Sequence, residues 1–314
     1  MKILIVGAGA VGGYFGARLH AAGRDVSFLV RPRRAALLRE HGLRVRSPSG
    51  ELDLTDVKLV DSAGLQAQYD LVILSSKAYD LDDAVASMAA AAVGPGTAIL
   101  PLLNGMQHLD VLARRFGSEA VLGGQCVIAS TLDADGVIRH LNSYAGLTFG
   151  ELAGGSSERT RRLEQALTVE GFELRQSDDI LQAMWEKWTM LATLASATSL
   201  MRASIGDILQ GPGGLAFIEG VLAECAGVAE LEGHRPGESF YHRTRGMLTE
   251  HGSTLTASMF RDIGNGNRIE ADHIVGDLIR RGEAKGAKTT LLQLAYLHLK
   301  AYEAQRERVD QAPH

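Results

Sequence analysis

The sequence predicts a chain in two parts, an α/β half on a mostly parallel sheet with antiparallel edge strands and then an all-α half. Three observations predict it. Apolar runs of strand length alternate with helically spaced segments from Lys2 to Phe116; a glycine-rich turn joins the first run to the first helical segment; and from Ser177 onward the spacing is helical almost throughout. A chain of 314 residues exceeds what one core usually organises, so two domains are expected. The boundary falls near Gln176, which gives domains 1–176 and 177–314.

Lys2–Val6, Asp25–Val30, Asp70–Ser75 and Thr97–Leu102 read as strands buried on both faces. Ala10–Ala22, Arg33–His41, Leu81–Ala92 and Met106–Phe116 carry helical spacing between and after them. Such alternation implies a parallel sheet with right-handed crossovers. Leu43–Asp61 breaks the rhythm, and its Leu43-Arg44-Val45-Arg46 alternation with the Ser49-Gly50 turn suggests a small antiparallel excursion. Further strands are expected over Val121–Thr131, Gly136–Leu141 and Gly146–Glu151, with a hairpin at Asp133–Gly136 that would end the sheet in antiparallel strands. The helical half has breaks at Gly211–Gly214, Gly233–Gly237 and Gly264–Gly266, and its polar tail from Gln305 is expected to fray.

Composition excludes several classes of function. A formal net charge of −5 offers no polyanion-binding face, so no nucleic-acid partner is expected. Ile3–Val6 is too short for a secretory core, and Trp188–Met201 falls short of the roughly 20 residues a bilayer requires, so no membrane partner is expected. Cys126 and Cys225 lie in no paired motif, which fits a reducing, cytoplasmic compartment. No His, Cys, Asp and Glu spacing matches a metal site.

Gly7-Ala8-Gly9-Ala10-Val11-Gly12 follows a strand and opens a helix, the context that gives this spacing meaning. Gly7 permits the tight turn, Gly9 lets backbone approach a pyrophosphate, and Gly12 allows close helix–strand packing. With Ala10 and Val11, the helix start offers unpaired N–H groups to phosphates. The first half is therefore expected to be a Rossmann dinucleotide-binding domain. Arg31 stands after the second strand, where an NAD enzyme usually carries an acid for the ribose 2′-hydroxyl. A guanidinium suits a 2′-phosphate, so the expected cofactor is NADP(H).

Hydride transfer to a carbonyl needs a proton source. Lys77 and Asn104 follow successive strands at their C-terminal ends, where α/β sheets bind ligands. Lys187 lies in the apolar segment Trp185-Glu186-Lys187-Trp188, where a cation is costly unless paired or functional; snorkelling to the surface is the bland alternative. Trp185 and Trp188 read as packing residues, and His108 as a helix-surface histidine.

These pieces together resemble the ketopantoate reductase (2-dehydropantoate 2-reductase) family over nearly the whole chain. The resemblance rests on the glycine turn with Arg31, Lys77, Leu103-Asn104-Gly105-Met106, Trp185–Trp188, and Ser258–Asp262 followed by Arg268–Asp272 and Gly276. It implies an all-α C-terminal domain like that of 6-phosphogluconate dehydrogenase, with the active site in the cleft between the domains. It also implies NADPH-dependent reduction of a 2-oxo acid, a small-molecule substrate of which ketopantoate is the first candidate. By the same resemblance Lys187 polarises the 2-oxo group and donates the proton, supported by Glu270. Asn104 and Ser258 contact substrate, and Lys77 and Asn104 also line the cofactor. The family has monomeric and dimeric members, and a homodimer is the favoured state.

Two positions depart from the family pattern. Family enzymes of pantothenate synthesis usually carry asparagines four and eight residues after the lysine; here they are Leu191 and Ala195. At ~100° per residue both stay within about 40–80° of the lysine's direction. Thr198 also shares that face and matches a family threonine, whereas Ser196 points the opposite way. The apolar pair suggests a paralogue that reduces a more apolar 2-oxo acid or carbonyl compound. A catalytically silent NADP-binding sensor is a third reading, against which the four polar residues Lys187, Glu270, Asn104 and Ser258 argue.

Overall fold

The computed structural model describes residues 1–63, 65, 69–89 and 92–311. The chain divides into two compact units, one of Met1–Leu103 with His108–Leu181, the other of Asn104–Gln107 with Gln182–His314.

The chain begins β1 (Lys2–Val6), α1 (Ala10–Ala21), β2 (Asp25–Leu29), α2 (Pro32–His41), β3 (Leu43–Arg46), β4 (Leu52–Leu54) and β5 (Lys58–Val60). It continues β6 (Leu71–Leu74), α3 (Leu81–Ala89), β7 (Ala98–Pro101), α4 (Gln107–Phe116) and β8 (Leu122–Leu132). Then come β9 (Ile138–Glu151), α5 (Glu158–Leu167) and β10 (Glu173–Gln176). Ala90 and Ala91, the penultimate residues of the helix expected over 81–92, lie outside the described residues.

The first sheet has the order β5-β2-β1-β6-β7, and every pairing in it is parallel. Its central strands are buried on both faces, as Ile3–Val6 and Leu71–Leu74 are, because helices cover such sheets on both sides. From β1 the chain fills one side of the sheet and then crosses to fill the other. The C-terminal ends of β1 and β6 therefore flank the switch point at which such sheets bind ligands.

The antiparallel strands expected at the edge of this sheet are present, but they pair in a second sheet. There β8 and β9 form the hairpin closed at Asp133–Gly136, and β3 and β4 form the expected excursion. Lys58–Val60 leaves that excursion and pairs with β2 as an edge of the first sheet; three residues carry too little periodicity to announce it. The two strands expected over 136–141 and 146–151 are one strand, β9. Gly146 stays in the ladder opposite Val127, and a register shift between Ile128 and Ser130 absorbs the exposed stretch 141–144. Its length lets β9 take β3 at Ile138 and Arg139 and β10 at Gly146–Phe149.

The second unit is helical. It contains most of α6 (Ile180–Met201), then α7 (Ile205–Gln210), α8 (Gly214–Leu231), α9 (Glu238–Leu248), α10 (Ser258–Gly264), α11 (Asp277–Ala284) and α12 (Thr290–Gln311). A π-helical turn, Asp272–Gly276, leads into α11. α12 runs on to Gln311, through the part of the tail expected to fray; Ala312–His314 lie outside the described residues. Ser204 starts α7 through a reciprocal cap with Asp207. No helix among the described residues is long and apolar enough to cross a membrane.

Helix α1 packs on the first sheet through glycines. A Cβ on Gly12 would sit 1.9 Å from Ser75 Oγ and 2.3 Å from the Gly7 carbonyl oxygen. Gly12→Ala is therefore expected to cost about 1–3 kcal/mol of unfolding free energy by overpacking, measured by urea denaturation. Adding Ser75→Ala should recover only part of the loss, because the Gly7 carbonyl stays in the way.

Candidate functional site

In the first unit the glycine turn is held open from below. Gly7 has φ +96°, a conformation glycine adopts without strain. Gly9 is the N-cap of α1, makes no side-chain cap, and has nothing within 4 Å of where a Cβ would be. No acidic residue stands in the first turn of α1. The leading N–H groups, from Ala10, Val11 and Gly12, thus have no side-chain acceptor at the cap and an open approach at Gly9. Such a helix end suits an anionic ligand.

Two side chains that the sequence reading did not single out anchor the turn. Ser75 Oγ lies 2.9 Å from the Gly7 carbonyl oxygen and donates to it. Arg34 donates Nε to the Ala8 carbonyl at 2.9 Å and Nη1 to the Gly136 carbonyl at 2.9 Å. Burial lowers the Arg34 guanidinium from its ordinary pKa, with the charge of Arg44 acting the same way. Arg34, one of the arginines just beyond Arg31, therefore serves the loop's backbone, while Arg33 is exposed.

Arg31 is the N-cap residue of α2 and is largely exposed. Its Nη2 donates to Asp80 Oδ1 at 2.9 Å and to Asp83 Oδ2 at 3.2 Å. The hydrogen bond that Arg31 donates to Asp80 is the main cause that raises the Arg31 pKa. Lys77, exposed, is the N-cap of a short 3-10 turn, Ala78–Asp80, that follows β6 and precedes α3. Asp80 and Asp83 went unmarked in the sequence because acids at a helix start need no further reason.

In the second unit, α6 carries Lys187. Lys187 is half-buried and donates Nζ to Asn104 Oδ1 at 3.1 Å, which joins two residues 83 apart in sequence. The adjacent Trp188 is buried and donates its indole N–H to the Ile274 carbonyl at 2.9 Å. Its ring packs at a tilt of 38° against that of Trp185, centroid to centroid 4.8 Å. Trp188 thus does more than pack: it ties α6 to the π-helical turn.

Gly105 follows Asn104 at φ +78°, and a Cβ there would lie 2.7 Å from the His273 carbonyl oxygen and 3.1 Å from its Cδ2. His273 is buried, and its ring bonds to the backbone of Asn104. Burial pushes its pKa below the ordinary value, opposed first by the charge of Glu270. Glu270 is half-buried, and its carbonyl accepts from Ile274 N at 3.0 Å. His273 is a residue the sequence reading missed. Its signal was there, since it lies three residues after Glu270 and so on one helical face with it.

Thr198 is fully buried, and its hydroxyl is engaged with backbone. It donates to the Leu194 carbonyl at 2.7 Å and accepts from Ala257 N at 3.3 Å. Its visible work is to hold the residue before Ser258, which opens α10 and is exposed. Leu191 is half-buried and Ala195 buried at 1% exposure. His108, expected on a helix surface, is instead fully buried, on the α4 face it shares with Leu109 and Leu112. Among the described residues no group of three or more His, Cys, Asp or Glu side chains could hold a metal ion.

Comparison with known proteins gives the family. Residues 3–154 match the family model described as ketopantoate reductase PanE/ApbA, and residues 179–303 match that of its C-terminal part. An uncharacterized oxidoreductase, YkpB, of Bacillus subtilis is 35% identical over 98% of this chain and 100% of its own length. A 2-dehydropantoate 2-reductase of Halobacterium salinarum is 28% identical over 90% of this chain and 92% of its own. The crystal structure of a PanE/ApbA family ketopantoate reductase from Ralstonia eutropha superposes with TM-score 0.88 at 25% identity, covering 98% of this chain and all of that one. The chain belongs to the ketopantoate reductase family of oxidoreductases.

The buried His273 gives the fold a pH dependence. The native state holds the ring neutral below its ordinary pKa of 6.5, while the unfolded chain protonates near that value. Its contribution to stability is therefore present above pH ~6.5 and is lost as pH falls below it, by on the order of 1 kcal/mol per pH unit. Thermal unfolding at pH 7.5 and 5.5 should show a larger acid loss for the wild type than for His273→Gln.

Proposed function

We propose that the protein reduces a 2-oxo acid to a 2-hydroxy acid with NADPH, and that ketopantoate is the first substrate to assay. The observation that carries this reading is the Lys187–Asn104 pair, an ammonium 3.1 Å from an amide oxygen on the two motifs that carry the family resemblance. The uncapped start of α1, the open approach at Gly9 and the held carbonyls of Gly7 and Ala8 fit a dinucleotide's phosphates. On this reading residues 1–176 hold the cofactor, through Gly7, Gly9, Ala10, Val11, Gly12, Lys77 and, for the 2′-phosphate, Arg31. Residues 177–314, with Asn104, hold the substrate.

A reduced nicotinamide, when bound, supplies hydride to C2 of the oxo acid. Lys187 directs its ammonium at the oxygen on which negative charge develops, stabilises that charge and then gives it a proton. The product is a 2-hydroxy acid, and the amine recovers its proton from water. Asn104 keeps the ammonium aimed and also contacts substrate, as does Ser258 at the start of α10. Glu270 supplies a countercharge for the cationic form of the lysine. Thr198 serves indirectly, by fixing Ala257.

A different, more apolar substrate is the second reading, favoured by Leu191 and Ala195 on the α6 face that carries Lys187. A hydrogen bond to a charged group is worth roughly 1.5–3 kcal/mol. Two lost from a ketopantoate site would lower affinity by something like two to four decades. NADPH oxidation followed at 340 nm against a panel of 2-oxo acids separates the readings. Ketopantoate is the best substrate under the first, and an acid with an all-hydrocarbon side chain under the second. Binding of NADPH without turnover of any compound would favour the sensor instead. For whichever substrate turns over, Lys187→Ala should lower kcat by about 10²–10⁴-fold while NADPH binding, read by fluorescence titration, stays within about twofold.

A further inference from the structure

The arginine expected to read a 2′-phosphate is engaged by acids. A guanidinium grips a phosphate with a pair of N–H groups along one edge, either Nε with Nη2 or Nη1 with Nη2. Both edges use Nη2. In this protein Nη2 of Arg31 is the nitrogen that Asp80 and Asp83 occupy, at 2.9 and 3.2 Å. Nη2 has two hydrogens and two carboxylate partners, so neither edge has both prongs free.

The two acids differ in how firmly they are placed. Asp80 ends the 3-10 turn and its side chain is 23% exposed, whereas Asp83, in the first turn of α3, is 80% exposed. The start of α3 favours a negative charge at Asp83 electrostatically.

We propose that Asp80 and Asp83 set the cofactor preference of this chain by competing with the 2′-phosphate for Nη2 of Arg31. The proposal rests on the reading of Arg31 as the 2′-phosphate contact. A 2′-phosphate must displace at least one carboxylate and then sit beside both. A 2′-hydroxyl carries no charge and needs no such exchange. The pair therefore weakens NADPH binding and leaves NADH binding nearly as it is, narrowing the preference that Arg31 alone would give.

The experiment is equilibrium titration of NADPH and NADH, followed by nicotinamide fluorescence, on the intact protein. The variants are Asp80→Asn, Asp83→Asn, the double Asp80→Asn/Asp83→Asn, Arg31→Ala, and Arg31→Ala combined with Asp83→Asn. Each single Asn variant is expected to tighten NADPH binding about two- to fivefold, the range of one exposed ion pair. The double should gain about three- to tenfold, with NADH unchanged within about 1.5-fold. The gain should vanish when Arg31 is Ala, and should shrink at high salt as exposed charges are screened. Asp83→Asn, on an exposed helix turn, keeps the test valid if Asp80→Asn unsettles the 3-10 turn.

The proposal is overturned if Asp83→Asn and the double variant leave the NADPH-to-NADH ratio at the wild-type value while Arg31→Ala lowers it; the cofactor reading then survives alone. It is also overturned if the gain persists without Arg31, since the acids would then act by direct repulsion. If Arg31→Ala leaves the ratio unchanged, the reading of Arg31 falls and the proposal with it.

Discussion

Trp188 has one N–H to give, and it gives it to the Ile274 carbonyl 2.9 Å away. That bond fixes α6 against the π-helical turn Asp272–Gly276, and the polar residues of the second unit are arranged about it. Lys187 precedes Trp188, Glu270 lies one turn before Ile274, and His273 lies beside it. Gly105 completes the arrangement: the backbone after Asn104 comes so near His273 that a side chain at 105 would strike it. Removing the indole N–H would delete this hydrogen bond, which is worth about 0.5–1.5 kcal/mol. The helix that carries Lys187 is thus tied in place by its buried neighbour.

The first unit solves a different problem, since it must present N–H groups outward from a turn. In a trans peptide the carbonyl and the following N–H point in opposite directions. Ser75 holds the Gly7 carbonyl and Arg34 the Ala8 carbonyl, so the N–H groups of Ala8 and Gly9 face away from those partners. A serine just after β6 and a half-buried arginine on α2 therefore orient the backbone dipoles of the turn. Arg34 and Arg31 are three residues apart and have separate duties, one toward backbone and one toward two carboxylates.

Much of this was legible in the sequence, and what escaped it has identifiable causes. The strands of the first sheet announce themselves as unbroken apolar runs, and the glycine turn has a spacing with one structural use. Lys58–Val60 escaped because a three-residue edge strand has no period. The continuity of β9 escaped because Gly146 reads as a break, while the ladder tolerates it and absorbs the irregularity elsewhere. Asn104 and Lys187 were visible as polar residues in apolar motifs. Ser75 was harder, because its importance lies in a contact with Gly7 that leaves no pattern of its own, while His273 left only its spacing from Glu270. His108 misled for a related reason: a histidine on an amphipathic helix reads as a surface residue until its face is known.

Asn104–Gln107 groups with the second unit, although the chain before and after it belongs to the first. A division of the gene at any single point therefore separates Lys187 from Asn104 or leaves part of the first unit behind. A helical half cut out after Leu181 would therefore leave behind the residue that accepts from Lys187.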